Sequence, residues 1–163
     1  MAGDLMTFFR SSGGGASLDI TDRTNTSGGL LAEGTIVADG AANKSFVACD
    51  ISDKATAASR PTGVVFGGDV SAAALGTLRT VAGTDAPTLL VTGLLGTAAV
   101  GDEVIASATV GRGTLSKAGG TSKPSSSPEA INRIGVITSL LTYDGAGDDL
   151  VLVQLDLSAR RGV

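Results

Sequence analysis

Histidine and tryptophan are absent from this sequence, and tyrosine and cysteine each occur once. Histidine is the side chain that most readily exchanges protons near neutral pH, and it is a very common metal ligand. Its absence closes the commonest routes to hydrolase, oxidoreductase and metalloenzyme chemistry. The lone Cys49 excludes a disulfide within the chain and a thiolate metal cluster built by one chain. No catalytic residue, cofactor or metal is therefore expected, and the chain suits a reducing cytoplasm.

Basic charge and long apolar runs are lacking too. Twelve Lys and Arg face 16 Asp and Glu, a net charge of −4. Nucleic-acid binding needs a concentrated Lys/Arg surplus, and Arg160-Arg161 is the only adjacent basic pair. The most apolar stretch, Leu89 to Val100, is interrupted by Thr92, Gly93, Gly96 and Thr97, whereas a membrane-spanning helix needs about 20 apolar residues. Asp4 stands where a secretory leader carries basic residues, and no apolar run follows it. Neither nucleic acid nor membrane is expected as a partner. Only 17% of residues are charged and the mean hydropathy is +0.30, so part of the surface is expected to be covered by further copies or partners.

What the chain does have is 24 glycines among short runs of Val, Ile, Thr and Leu, with only three Glu, four Lys and one Gln to favour helix. This pattern predicts an all-β fold, a small β-barrel or sandwich of short antiparallel strands with an extended N-terminal arm. Strands are expected at 35–38, 45–49, 63–66, 78–82, 88–92, 96–100, 103–107, 113–117, 133–141 and 150–157. Gly67-Gly68-Asp69, Gly101-Asp102 and the 144–148 segment supply turns. The last strand is the clearest: Val151, Val153, Leu155 and Leu157 form one apolar face, while the other runs from Leu150 and Leu152 to Gln154 and Asp156. Aromatics are 3% of the chain, so Val, Leu, Ile and Ala must fill a narrow core. Single helical turns are expected at 70–75 and 128–132. The division expected is an arm and linker at 1–33, a barrel at 34–157 and a tail at 158–163. Arg60-Pro61-Thr62-Gly63-Val64-Val65 echoes Arg133-Ile134-Gly135-Val136-Ile137, a match too short to establish a repeat.

Candidate sites are few. Asp144, Asp148 and Asp149 lack the spacing and closing glutamate of a calcium loop and read as an acidic turn. Cys49 ends an apolar strand and reads as a buried structural thiol. Gly13-Gly14-Gly15 and Gly28-Gly29 lack the Gly-Lys-Ser/Thr step of a phosphate loop, and no Gly-x-Ser-x-Gly elbow occurs. Gly119 to Pro128 reads as a long exposed loop. The candidate partner-binding residues are Leu5, Met6, Phe8, Phe9 and Arg10, joined to the rest by the linker Ser11 to Gly15. Two placements are open to this arm: a first strand of its own sheet, or docking on a neighbouring subunit.

The stretch from Gly63 to Leu157 resembles the small β-barrel decoration or cement proteins that tailed bacteriophages attach to their capsids. The resemblance rests on Gly96-Thr97-Ala98-Ala99-Val100-Gly101-Asp102-Glu103-Val104, Gly111-Arg112-Gly113-Thr114-Leu115, Ile134-Gly135-Val136-Ile137 and the closing strand. It implies a virion protein on the capsid surface, made in the host cytoplasm. Its partner would be the major capsid protein, bound commonly as a homotrimer, and it would stiffen the shell without catalysis. The competing expectation is a tail-associated receptor- or carbohydrate-binding β-domain. Sugar binding favours exposed aromatic platforms, and Tyr143 is the sole Tyr or Trp available.

Overall fold

A computed structural model describes residues 18–51, 60–81, 88–92, 98–115, 133–142, 148–155 and 157. The arm residues Leu5, Met6, Phe8, Phe9 and Arg10, the loop 119–128, the 128–132 turn, Asp144 and Tyr143 lie outside them. Ten strands are formed: β1 (Leu18–Asn25), β2 (Ile36–Asp39), β3 (Ser45–Ala48), β4 (Pro61–Phe66), β5 (Leu75–Val81), β6 (Thr88–Thr92), β7 (Glu103–Ala106), β8 (Gly113–Leu115), β9 (Arg133–Thr142) and β10 (Asp148–Leu155). The fold is all-β, as the Gly-punctuated Val/Ile/Thr runs predict.

Three local expectations are corrected. Leu18–Asn25 is a strand within the stretch predicted as arm and linker, because Asp19 and Arg23 on its outer side are held by partners: Arg79 Nε donates to Asp19 Oδ1 at 2.8 Å, and Arg23 pairs with Asp39. The strand expected at 96–100 does not form over Ala98 to Val100, which enters a tight turn closed by Asp102 N donating to Ala99 O. No helical turn occurs at 70–75: Val70 bridges Leu31, and Ala73 takes φ 60°.

The strands close into two five-stranded barrels, in the orders β1-β3-β2-β4-β5 and β10-β6-β8-β7-β9. Replacing each strand of the first barrel by the strand five places later generates the second. In both, the first and third strands pair in parallel and every other neighbour is antiparallel. Around the second and fourth strands the registers match, while the bulges on the fifth strand's pairings differ. Val37 faces Gly63 and Ala48, and Val104 faces Gly135 and Leu115; the β2–β4 and β7–β9 pairings each carry an irregularity at the next residue. Gly34 N donates to Val65 O and Gly101 N to Ile137 O, with both glycines at positive φ, 87° and 95°. Gly40 N donates to Ser45 O and Ser107 N to Arg112 O. The chain is thus a structural tandem repeat, and the short sequence echo falls on the equivalent strands β4 and β9.

The interiors differ in how they are filled. The first holds Leu31, Val37, Phe46, Val65, Val70 and Leu78. Gly76 makes room for the aromatic ring, since a Cβ there would stand 2.9 Å from Phe46 Cζ. At the corresponding places the second barrel has Gly113 for Phe46 and Val151 for Gly76, so bulk has moved from one strand to another. The parallel closures are short, two paired positions for β1–β3 and one for β6–β8. Across the first closure, Arg23–Asp39 and Lys44–Asp22 act as side-chain ties.

Candidate functional site

A functional surface on this body has to be assembled from what the barrels leave outside, because their interiors are closed. The first outer surface is already used within the chain. Alternation along β2 and β4 turns Val37 and Val65 inward, so Ile36, Ala38 and Val64 face outward, yet all three are fully buried. Together with Cys49 they merge into one apolar cluster with the interior of the second barrel, including Val104, Leu115, Ile137, Val153 and Leu157.

The end of the second barrel that carries the turn between β7 and β8 lies against this side of the first. Ile36 N donates to Gly111 O at 2.9 Å, and Gly111 N donates to Cys49 O at 2.8 Å. Gly111 has φ 73°, and a Cβ on it would stand 2.7 Å from Thr35 Cγ2. A second tie joins the barrels where Leu157 N donates to Thr80 O.

The titratable groups in and around this body serve structure. Cys49 is buried, and loss of hydration, with the neighbouring Asp50 charge adding to it, pushes its thiol up to about 12. At neutral pH it is a protonated apolar filler without nucleophilic character. Arg79 is buried with its guanidinium 3.5 Å from the Phe66 ring centre, and Asp19 receives both Nε and Nη2. Such a fork on a carboxylate, stacked on a ring, ties β5 to β1 and leaves little for ligand recognition. The exposed Asp22 carboxyl lies below its ordinary range, chiefly through its hydrogen bond from Lys44. Buried Asn25 spends its amide on the carbonyls of Gly29, Val70 and Ser71.

Among the described residues no group of three or more His, Cys, Asp or Glu is placed to hold a metal ion, and no helix is long and apolar enough to cross a membrane.

Among the described residues, the large apolar side chains that remain in solvent are Leu30, Leu75, Val100, Val110, Leu140 and Leu141. On the second barrel, the face equivalent to Ile36, Ala38 and Val64 consists of Glu103, Ile105 and Val136, each only partly buried. Arg133 Nε lies 2.6 Å from Glu103 Oε1 at its margin. Sequence reasoning missed this face, since its meaning comes from the repeat, and the repeat is carried by backbone register. No protein-family model matches the sequence, and no curated protein matches it.

Proposed function

We propose that the chain is a non-enzymatic structural protein of a bacteriophage virion, which binds the outside of an assembled capsid through the major capsid protein, as a homotrimer. The observation that carries this reading is the exposure of Leu30, Leu75, Val100, Val110, Leu140 and Leu141 on a body whose buried or paired charges hold strands together. A monomer gains nothing from leaving such residues in water, whereas a protein that works by being packed against does. The apolar arm Leu5, Met6, Phe8, Phe9, with Arg10, belongs to the same reading as a second contact with the shell or a neighbouring subunit.

Co-sedimentation with capsids assembled from the major capsid protein of the same phage tests it. Saturable binding of the full chain is expected, weakened when residues 1–10 are removed. Absence of the chain from purified virions by mass spectrometry, together with no co-sedimentation, overturns it.

A further inference from the structure

The tandem repeat makes the contact between the two barrels a template for a contact the chain does not make with itself. Within the chain, the β7–β8 turn of the second barrel sits on the outer β2–β4 side of the first. Each barrel therefore has a turn and a side of this kind. The second barrel's turn and the first barrel's side are consumed by one another. The first barrel's turn between β2 and β3, at 40–44, keeps a bond within its own barrel, Lys44 O accepting from Thr24 N at 2.9 Å, and among the described residues no other barrel is seated on it or on the partly buried outer β7–β9 side of the second.

Register identifies what would meet there. Gly111, the residue inserted into the internal contact, corresponds to Lys44: both follow the second strand of their barrel at the same distance, both have positive φ, 73° and 52°, and both precede the residue whose carbonyl receives the turn-closing bond. The residues flanking Gly111 in the internal contact are Thr35 and Ile36. They correspond to Asp102 and Glu103. A neutral glycine between Thr and Ile has thus become, at the two equivalent surfaces, a lysine on one and two adjacent carboxylates on the other. The remaining side residues Ile105 and Val136 keep an apolar floor where the internal contact has Ala38 and Val64.

We propose that the chain associates head to tail with a second copy of itself, the β2–β3 turn of one copy docking on the outer β7–β9 side of the next, with Lys44 received by Asp102 and Glu103. The groups involved have partners within their own chain: Lys44 holds Asp22 at 2.9 Å, Glu103 holds Arg133, and Asp102 accepts from Ala99 N. The lysine and its partner are largely exposed, side chains 65% and 54%, and exposed ion pairs contribute little, so exchanging or sharing them at the new contact costs little. A turn meeting a side is a heterologous contact, which closes into a ring or extends as a filament depending on the rotation it imposes. The inference rests on the repeat alone and is independent of capsid binding.

Sedimentation velocity of the full chain from about 1 to about 200 μM, at low and high salt, reads the association directly; charge pairing of this kind weakens as the screening length shortens. Concentration-dependent association that falls with salt is expected. Lys44→Glu and Glu103→Lys each place like charges at the contact and weaken association by about tenfold or more, while a one-to-one mixture of the two variants restores it. Glu103→Gln, which introduces no repulsion with Arg133, gives an intermediate loss. Circular dichroism melts verify that each variant is folded. A wild-type chain that stays monomeric throughout the range, folded charge reversals that associate like wild type, or a mixture that fails to recover, each overturns the proposal.

Discussion

Replacing Gly111 with alanine separates the contact between the barrels from the turns that join their strands. The substitution puts a side chain at φ 73°, and the left-handed region costs an ordinary residue about 1–2 kcal/mol. The new Cβ also stands 2.7 Å from Thr35 Cγ2. Thr35 is buried, 3% exposed, and β-branched, so it cannot rotate aside freely, and overpacking adds about 1–3 kcal/mol. Gly101→Ala is the matched control: φ is 95°, and nothing lies within 4 Å of its Cβ, so only the backbone cost applies. A chain of 163 residues loses about 2–4 °C of Tm per kcal/mol. A total near 3 kcal/mol for Gly111→Ala then lowers Tm by about 6–12 °C, against about 2–8 °C for the control, the backbone cost being common to both. Far-UV circular dichroism in heat and urea measures both, with an unchanged urea m-value marking a pure stability effect. Equal losses for the two variants would refute the close approach of Gly111 to the first barrel.

Three further outcomes follow from the same geometry. Because the Cys49 thiol is pushed up to about 12 in the fold from an ordinary 9.0, the unfolded chain releases its proton first; stability from this group is complete below pH 9 and is lost between 9 and 12, so Cys49→Ala flattens the alkaline limb of a urea stability profile. Thr62 Oγ1 is buried without a hydrogen-bond partner, and its counterpart in the second barrel is the fully buried Ile134; Thr62→Val therefore raises stability by about 1 kcal/mol in urea denaturation. Gly76→Val forces a side chain onto Phe46 and Val70 and destabilises, whereas in combination with Phe46→Ala its added cost shrinks, a coupling of about 0.5–3 kcal/mol in a double-mutant cycle.

Much of the strand pattern is legible in the sequence, for identifiable reasons. Thr88–Thr92 is bounded as predicted, and the strands from Ile36, Ser45, Glu103, Gly113 and Arg133 begin within a residue of expectation, because each combines Val, Ile, Thr, Leu or Phe with a neighbouring polar or Gly punctuation. β1 escapes because Leu18–Asn25 carries three charged residues in eight, and what makes it a strand is Arg79, some 60 positions away. The Ala-rich 70–75 segment has helical composition but is claimed by the Leu31–Val70 bridge. The repeat is nearly invisible for a related reason. Several pairings and hydrogen bonds are shared by the two barrels, but most residue identities are not, and isolated matches such as Val37 with Val104 and Gly34 with Gly101 give no run in the sequence, so Gly63-Val64 and Gly135-Val136 stand out. The candidate arm residues Leu5, Met6, Phe8, Phe9 and Arg10 rest on composition, whereas the outer side at Glu103, Ile105 and Val136 becomes meaningful only when the first barrel shows what such a side does.

The two barrels also act as internal controls on one another, since one backbone plan carries two sets of side chains. What both retain is what the backbone cannot do without. Gly63 and Gly135 face Val37 and Val104 at the same register position, where a Cβ would stand 3.2 Å from Leu78 Cβ in the first barrel and collide with the Gln154 carbonyl in the second. No side chain can be repacked to accommodate that carbonyl, so glycine persists while its neighbours diverge. What differs follows the surroundings of each position: Ile36 is buried under the second barrel and Glu103 is not; Gly111 must admit Thr35, whereas the Lys44 side chain is largely exposed beside Asp22; Phe46 fills a space that Val151 fills from another strand. Divergence at equivalent positions therefore maps which surfaces are already covered within the chain. The place where it converts a neutral contact into opposite charges on the two equivalent surfaces is where coverage by another copy is to be sought.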